Sequence, residues 1–82
     1  MKKEINEIIK KTFAEEIAAK GLAGKLEVYA CENTFQRRPK YWKKDTCCYF
    51  KVFLWELNIL DEHEQRIEIN NRIMQAINYF GL

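Results

Sequence analysis

The residues with the clearest chemical potential lie in the stretch QRRPKYWKKD, at positions 36–45, which combines positive charge with aromatic rings. Arginine and lysine neutralise phosphates, and aromatic rings stack on unpaired bases. Tryptophan, tyrosine and arginine also dominate the binding energy of protein interfaces. The stretch therefore predicts a partner-binding surface, for an acidic protein or for a single-stranded nucleic acid. A solvated turn that protects an edge strand from aggregation is the alternative interpretation. The predicted partner-binding residues are Arg37, Arg38, Lys40, Tyr41, Trp42, Lys43 and Lys44.

The cysteines and the single histidine are the other candidates for chemistry. Cys31, Cys47, Cys48 and His63 are residue types that bind zinc, but the sequence has no C-x-x-C pair, and neighbouring strand residues point to opposite faces. We therefore expect the cysteines to act as small hydrophobic residues, with no metal and no cofactor. His63 lies between carboxylates, in DEHEQ, where a general base is conceivable; a histidine at the acidic start of a helix is more often simply exposed. With no G-x-S-x-G, Walker or G-x-G-x-x-G motif, the sequence predicts no catalytic residue and a protein that is not an enzyme.

Length and composition limit the class of protein. Eighty-two residues predict one domain with an adequate but marginal core. A net charge of +2 is well below that of a nucleic-acid packaging protein, and it also argues against an acidic mimic of nucleic acid. Three cysteines, two of them adjacent, make a poor disulfide framework, so we expect a reducing cytoplasm. No apolar run has the length of a membrane span, and the first residues lack the apolar region of a signal peptide.

Hydrophobic periodicity predicts the elements that position these residues. Isoleucines and a phenylalanine at helical spacing predict a first helix over 2–20, ended by Gly21 in left-handed geometry. KLEVYACENTF alternates like a half-buried strand, and TCCYFKVFLWELNIL predicts a second strand. The apolar face of that second strand switches near Leu54 and Trp55, which we interpret as a β-bulge, a strong twist or a change of neighbours. Asp61 begins the last helix as N-cap, and Gly81 ends it.

These elements predict an α+β fold of order α-β-β-α, an antiparallel hairpin packed by N- and C-terminal helices, with either the hairpin tip or an irregular edge within 36–45. One hairpin face would then expose many aromatic rings. Three outcomes remain open: the helices cover opposite faces, two copies pair and complete the sheet, or the face is a binding platform. The predicted dimer or platform face comprises Tyr29, Phe35, Tyr49, Phe53 and Trp55.

The function predicted from these observations is that of a small interaction protein, of inhibitor or regulator type, such as phages and mobile elements encode. We expect it to form a homodimer and to bind a protein partner through the aromatic hairpin and its basic tip. A single-stranded RNA or DNA binding module that uses the same residues is the alternative function.

Overall fold

The computed structural model describes residues 2–82 and contains three helices and a three-stranded mixed sheet. In chain order, the elements are α1 (Lys2–Ala19), β1 (Leu26–Cys31), β2 (Tyr41–Lys44), β3 (Cys47–Phe53), α2 (Trp55–Asn58) and α3 (Glu62–Phe80). The α+β class is confirmed, and the helices stand at the two ends of the chain as the sequence predicts. The sheet differs from the predicted hairpin in its number of strands and in their directions.

Strand β3 is the centre of the sheet, whose order is β1-β3-β2. Strand β1 runs parallel to it, with Val28 opposite Phe50, and β2 runs antiparallel, with Trp42 opposite Tyr49. The predicted antiparallel pairing of the first strand with TCCYFKV is therefore wrong. Parallel neighbours need a connection that returns the chain to the starting end, and here β2 itself makes that return.

Of the two predictions for the basic stretch, the hairpin tip is wrong, and the position at an edge of the sheet agrees with the structure. Residues 32–40, which we call the crossing segment, lead from the end of β1 to the far edge of the sheet, and Tyr41–Lys44 then form an edge strand. The actual hairpin turn lies between β2 and β3, where Asp45 has a positive φ of 56°. The sequence did not reveal this strand because lysines occupy half of it, and an edge strand tolerates lysines.

The change of apolar face near Leu54 and Trp55 marks the end of a strand. Strand β3 stops at Phe53, and α2 begins at Trp55. Leu54 and Leu57 are both buried, at the spacing of one helical turn. The predicted bulge, twist and two-ended long strand are therefore wrong: the periodicity changes because the backbone changes from strand to helix.

Both long helices cover the same face of the sheet. Ile9 and Phe13 from α1 and Ile69 and Ile73 from α3 pack into one core with the sheet, and the ring of Phe13 meets that of Phe50 edge-on at 5.8 Å. The alternative in which the helices cover opposite faces is therefore wrong, and within residues 2–82 no helix lies on the second face of the sheet. The core consists of Ile9, Phe13, Ile17, Leu26, Cys48, Phe50, Val52, Leu54, Leu57, Ile69, Ile73 and Ala76.

The ends of the long helices follow local rules that the sequence displays. Gly21 and Gly81 adopt left-handed φ values of 74° and 72° just after α1 and α3, as predicted. Asp61 Oδ1 accepts a hydrogen bond of 2.8 Å from the Glu64 backbone N–H, which confirms the predicted N-cap. Within residues 2–82, no helix is both long and apolar enough to cross a membrane.

Replacing Asp61 with alanine tests the contribution of this cap. We expect the free energy of unfolding to fall by about 1 kcal/mol, because one helix N–H loses its acceptor. A loss of that size lowers Tm by about 4–8 °C in a chain of this length, measured by circular dichroism. Glu15→Ala, an exposed site within α1, serves as control and should change stability by less than about 0.5 kcal/mol. An equal loss in both variants would contradict the assignment.

Candidate partner-binding surface

The sheet face that points away from the helices, which we call the open face, follows from strand alternation. Leu26, Phe50 and Val52 point into the core, so their strand neighbours point to the other side. The open face therefore carries Glu27, Tyr29 and Cys31 from β1, Trp42 and Lys44 from β2, and Cys47, Tyr49, Lys51 and Phe53 from β3.

Three aromatic rings on the open face contact one another, and we call them the aromatic cluster: Tyr29, Trp42 and Tyr49. Trp42 and Tyr49 are register partners, and their rings stack with centroids 5.3 Å apart and planes 6° apart. Tyr29 meets Trp42 edge-on, with centroids 5.5 Å apart. All three side chains are half-buried, so their contacts with each other leave part of each ring accessible.

Arg38 lies over this cluster. Its guanidinium carbon is 5.0 Å from the centroid of the Tyr29 ring and 5.4 Å from that of the Trp42 ring, within the range of a cation–π contact. Arg38 is itself exposed. A guanidinium held against rings in this way keeps its N–H donors available for a carboxylate or a phosphate.

The crossing segment is tied to the open face by hydrogen bonds that the sequence did not suggest. Lys51 Nζ donates to the backbone carbonyl oxygens of Gln36, at 3.4 Å, and of Arg38. Gln36 Nε2 donates to the Tyr29 hydroxyl at 3.0 Å. The roles of Lys51 and Gln36 could not be predicted from the sequence, because their partners depend on where the crossing segment runs. The isolated Lys51 within an apolar run was the one available signal.

The structure distributes the predicted partner-binding residues over two sides of β2. Trp42 and Lys44 point to the open face, whereas Tyr41 and Lys43 pair with core-facing Phe50 and Cys48 and so point to the helix side. The remaining basic residues of the stretch, Arg37, Arg38 and Lys40, belong to the crossing segment and are exposed.

Tyr41 belongs to a second group of aromatic residues on the helix side. Its ring stacks on Tyr79 with centroids 4.2 Å apart and meets Phe80 edge-on at 5.7 Å, while Lys40 Nζ lies 5.4 Å from its centroid. Tyr41 thus anchors the end of α3 to the edge strand.

The predicted dimer or platform residues also separate. Tyr29 and Tyr49 belong to the aromatic cluster, and Phe53 lies on the same face with Lys51 Nζ 5.2 Å from its ring centroid. Phe35 lies in the crossing segment and is 89% exposed. Trp55 begins α2 and is 47% exposed, so it lies off the sheet.

The thiol of Cys47 lies at the end of the open face beside an acid. Cys47 Sγ is 3.8 Å from Glu27 Oε2. Burial raises the pKa of the Cys47 thiol above its ordinary value, and Glu27 raises it further. Burial, together with Cys47 and Glu27, also raises the pKa of Tyr49. A raised pKa lowers the thiolate fraction at neutral pH, so Cys47 is a poor nucleophile.

The pH dependence of alkylation tests this environment. We expect the rate at which iodoacetamide modifies Cys47 to rise with pH around a higher midpoint in the folded protein than in urea, because the folded state disfavours the thiolate. Peptide mapping by mass spectrometry separates Cys47 from the other two cysteines. Glu27→Gln should move the midpoint down, since it removes a negative charge next to the sulfur. A midpoint below that of the unfolded chain would contradict the description.

The structure does not assemble the cysteines and the histidine into one site. Cys31 pairs with Phe53, whereas Cys47 lies at the other end of β3. His63 is exposed in the first turn of α3, and all three cysteines are free thiols. Among residues 2–82, no three histidine, cysteine, aspartate or glutamate side chains are grouped so that they could hold a metal ion.

Comparisons of this chain with protein-family models, with curated proteins and with solved structures gave no match.

Proposed function

We propose that this protein is a non-enzymatic interaction protein, of inhibitor or regulator type, whose open face binds an acidic surface of a protein partner. One observation carries the proposal: a sheet face without a helix on it holds three contacting aromatic rings, and the guanidinium of Arg38 rests on two of them. Rings and arginine of this kind supply the central binding energy in protein interfaces.

Charge supports an acidic partner. Arg38 rests on the aromatic cluster, Arg37 precedes it in the crossing segment, and Lys44 lies on the same face of β2 as Trp42; all three are exposed. Exposed basic residues beside the cluster raise the rate of association with an acidic surface and orient the partner as it binds. The rings then provide apolar area at the centre, and the Arg38 guanidinium provides paired donors for a carboxylate.

Single-stranded nucleic acid is the second candidate, because aromatic rings and arginine on a sheet face also bind unpaired bases. The ring geometry favours the protein partner. Trp42 and Tyr49 already stack on each other and Arg38 lies over Trp42, so few ring surfaces are left for bases to stack on. Binding to a single-stranded oligonucleotide at micromolar protein, falling steeply with salt, would instead support the second candidate.

Affinity capture from the native host with a charge-reversed control tests the proposal. We expect the immobilised protein to retain a protein partner after nuclease treatment, and the double variant Arg37→Glu, Lys44→Glu to lose it, because both positions are exposed and basic beside the aromatic cluster. Lys2→Glu, Lys3→Glu makes the same charge change on exposed positions of α1 and should retain the partner. Retention that disappears with nuclease, or that both variants share, would overturn the proposal.

We also propose that the protein is cytoplasmic. Three free thiols, two of them adjacent in sequence, persist most readily in a reducing compartment.

A further inference from the structure

The two edges of the sheet are built differently. Strand β2 has lysines at Lys43 and Lys44 and follows Pro39 and Lys40, and such residues discourage pairing with another strand. Strand β1, at the other edge, has six residues without a lysine or a proline, and Glu27 is its one charge. Only the edge formed by β1 is therefore suited to accept a further strand.

The hydrogen bonds between β1 and β3 show which backbone groups of β1 are free to pair with a further strand. The first and last of them reach the carbonyl oxygens of Lys25 and Cys31, at 2.8 and 2.9 Å. Alternate residues of a parallel strand face the same neighbour, so the N–H and C=O groups of Val28 and Ala30 point outward from the sheet. Their side chains, on the helix side, are only half-buried.

A hollow of about 240 Å³ lies beside this edge and gives a second strand room for its side chains. Small and apolar residues form most of its lining, which consists of Ala14, Ile17, Ala23, Gly24, Leu26, Glu27 and Val28.

We propose that a second copy of this chain pairs with β1 in antiparallel orientation, about a two-fold axis at Tyr29, and that the two copies form one six-stranded sheet. In this register Val28 lies opposite Ala30 of the second copy. Each such pair exchanges two backbone hydrogen bonds, so the interface contains four. The two Tyr29 rings meet at the axis, on the open face.

Charge favours this register over the one that has its axis at Val28. An axis at Val28 would place Glu27 diagonally across from Glu27 of the second copy, and the two negative charges would repel each other. An axis at Tyr29 places Glu27 opposite Cys31 of the second copy and diagonally across from that copy's Tyr29. The Tyr29 ring carries the guanidinium of Arg38, so the diagonal contact brings opposite charges together.

The axis stands perpendicular to the sheet, so both open faces lie on the same side of the dimer. Two basic and aromatic surfaces side by side engage one partner bivalently, which strengthens binding without any new contact. The dimer does not depend on the proposed function, and its tests use the purified protein alone.

A proline in each edge strand provides a matched pair of variants. Ala30→Pro removes an outward N–H that β3 does not use, and edge strands tolerate proline at such positions. Lys43→Pro does the same in β2. The Lys51 N–H donates to the Lys40 carbonyl oxygen, so the backbone groups of residue 40 and of every second residue after it face β3. The N–H of Lys43 therefore points outward. In sedimentation equilibrium we expect wild type and Lys43→Pro to have twice the 9.9 kDa chain mass at high concentration, and Ala30→Pro to have the single mass. A monomeric wild type, or an Ala30→Pro variant as dimeric as Lys43→Pro, would overturn the proposal.

Cross-linking tests the register without a proline. In a Cys31→Ala, Cys47→Ser background, which removes the free thiol that lies opposite residue 27 of the second copy, Tyr29→Cys should give a disulfide-linked dimer on mild oxidation, because residues at the axis have Cα atoms about 4.5 Å apart. Glu27→Cys, on the same face, should not cross-link, since the two copies of that residue lie four positions apart along the paired strands. Cross-linking of Glu27→Cys alone, or of neither variant, would refute this register and the dimer built on it.

Discussion

Replacing Phe50 with alanine should remove a large part of the free energy of unfolding of this protein. Phe50 lies on the central strand, is 2% exposed, and meets the Phe13 ring edge-on across the interface with α1. Removing a buried phenylalanine costs about 3–5 kcal/mol, because transfer free energy is lost and a cavity remains. A chain of 82 residues has a total stability of about 4–12 kcal/mol. Urea unfolding followed by circular dichroism measures the loss.

Phe35→Ala is the matched control, because it removes the same side chain from the crossing segment, where the ring is 89% exposed. We expect its stability to stay within about 0.5 kcal/mol of wild type. Comparable losses in the two variants would show that the core is not centred on β3.

Replacing Arg38 with alanine should raise the dissociation constant for the captured protein partner at least tenfold, which corresponds to a loss of about 1.4 kcal/mol or more of binding free energy. The variant removes the guanidinium from the aromatic cluster but leaves the Arg38 carbonyl, which Lys51 holds through its side chain. The crossing segment therefore stays in place, and the loss reports on binding. Isothermal titration calorimetry at two salt concentrations measures the dissociation constant and the charge contribution.

Arg66→Ala, at an exposed position of α3, is the matched control and should leave the dissociation constant within a factor of two or so of wild type. Equal weakening by Arg38→Ala and Arg66→Ala would indicate that general positive charge, and not the open face, determines binding.

The parts of the fold that local interactions determine could be predicted from the sequence. The stripe of Ile9, Phe13 and Ile17 and the caps at Asp61 and Gly81 involve residues within a turn of one another, and each is present as predicted. The partners of the strands could not be predicted in the same way. Strand pairing is non-local, and periodicity does not distinguish a parallel neighbour from an antiparallel one.

Strand β2 and helix α2 were hidden for different reasons. Tyr41–Lys44 is a short edge strand with one lysine on each face, so it shows no alternation. Trp55–Asn58 is a single helical turn, too short to display a helical period, and it continues the apolar run of β3.

The residue types of the candidate surface were apparent in the sequence, but their arrangement was not. A one-residue shift in the start of β2 would exchange Tyr41 for Trp42 on the open face, and only the pairing with β3 decides between them. The position of Arg38 over Tyr29 depends on the path of the crossing segment, which the sequence leaves undetermined.

The two tryptophans of the chain test in one measurement whether the open face binds the partner. Trp42 lies in the aromatic cluster, whereas Trp55 lies on α2 away from the sheet and is 47% exposed. Oxidative footprinting with mass spectrometry compares their labelling in the free protein and in the complex with the captured partner. We expect labelling of Trp42 to fall on binding while that of Trp55 stays unchanged. Protection of Trp55 with no change at Trp42 would contradict the account.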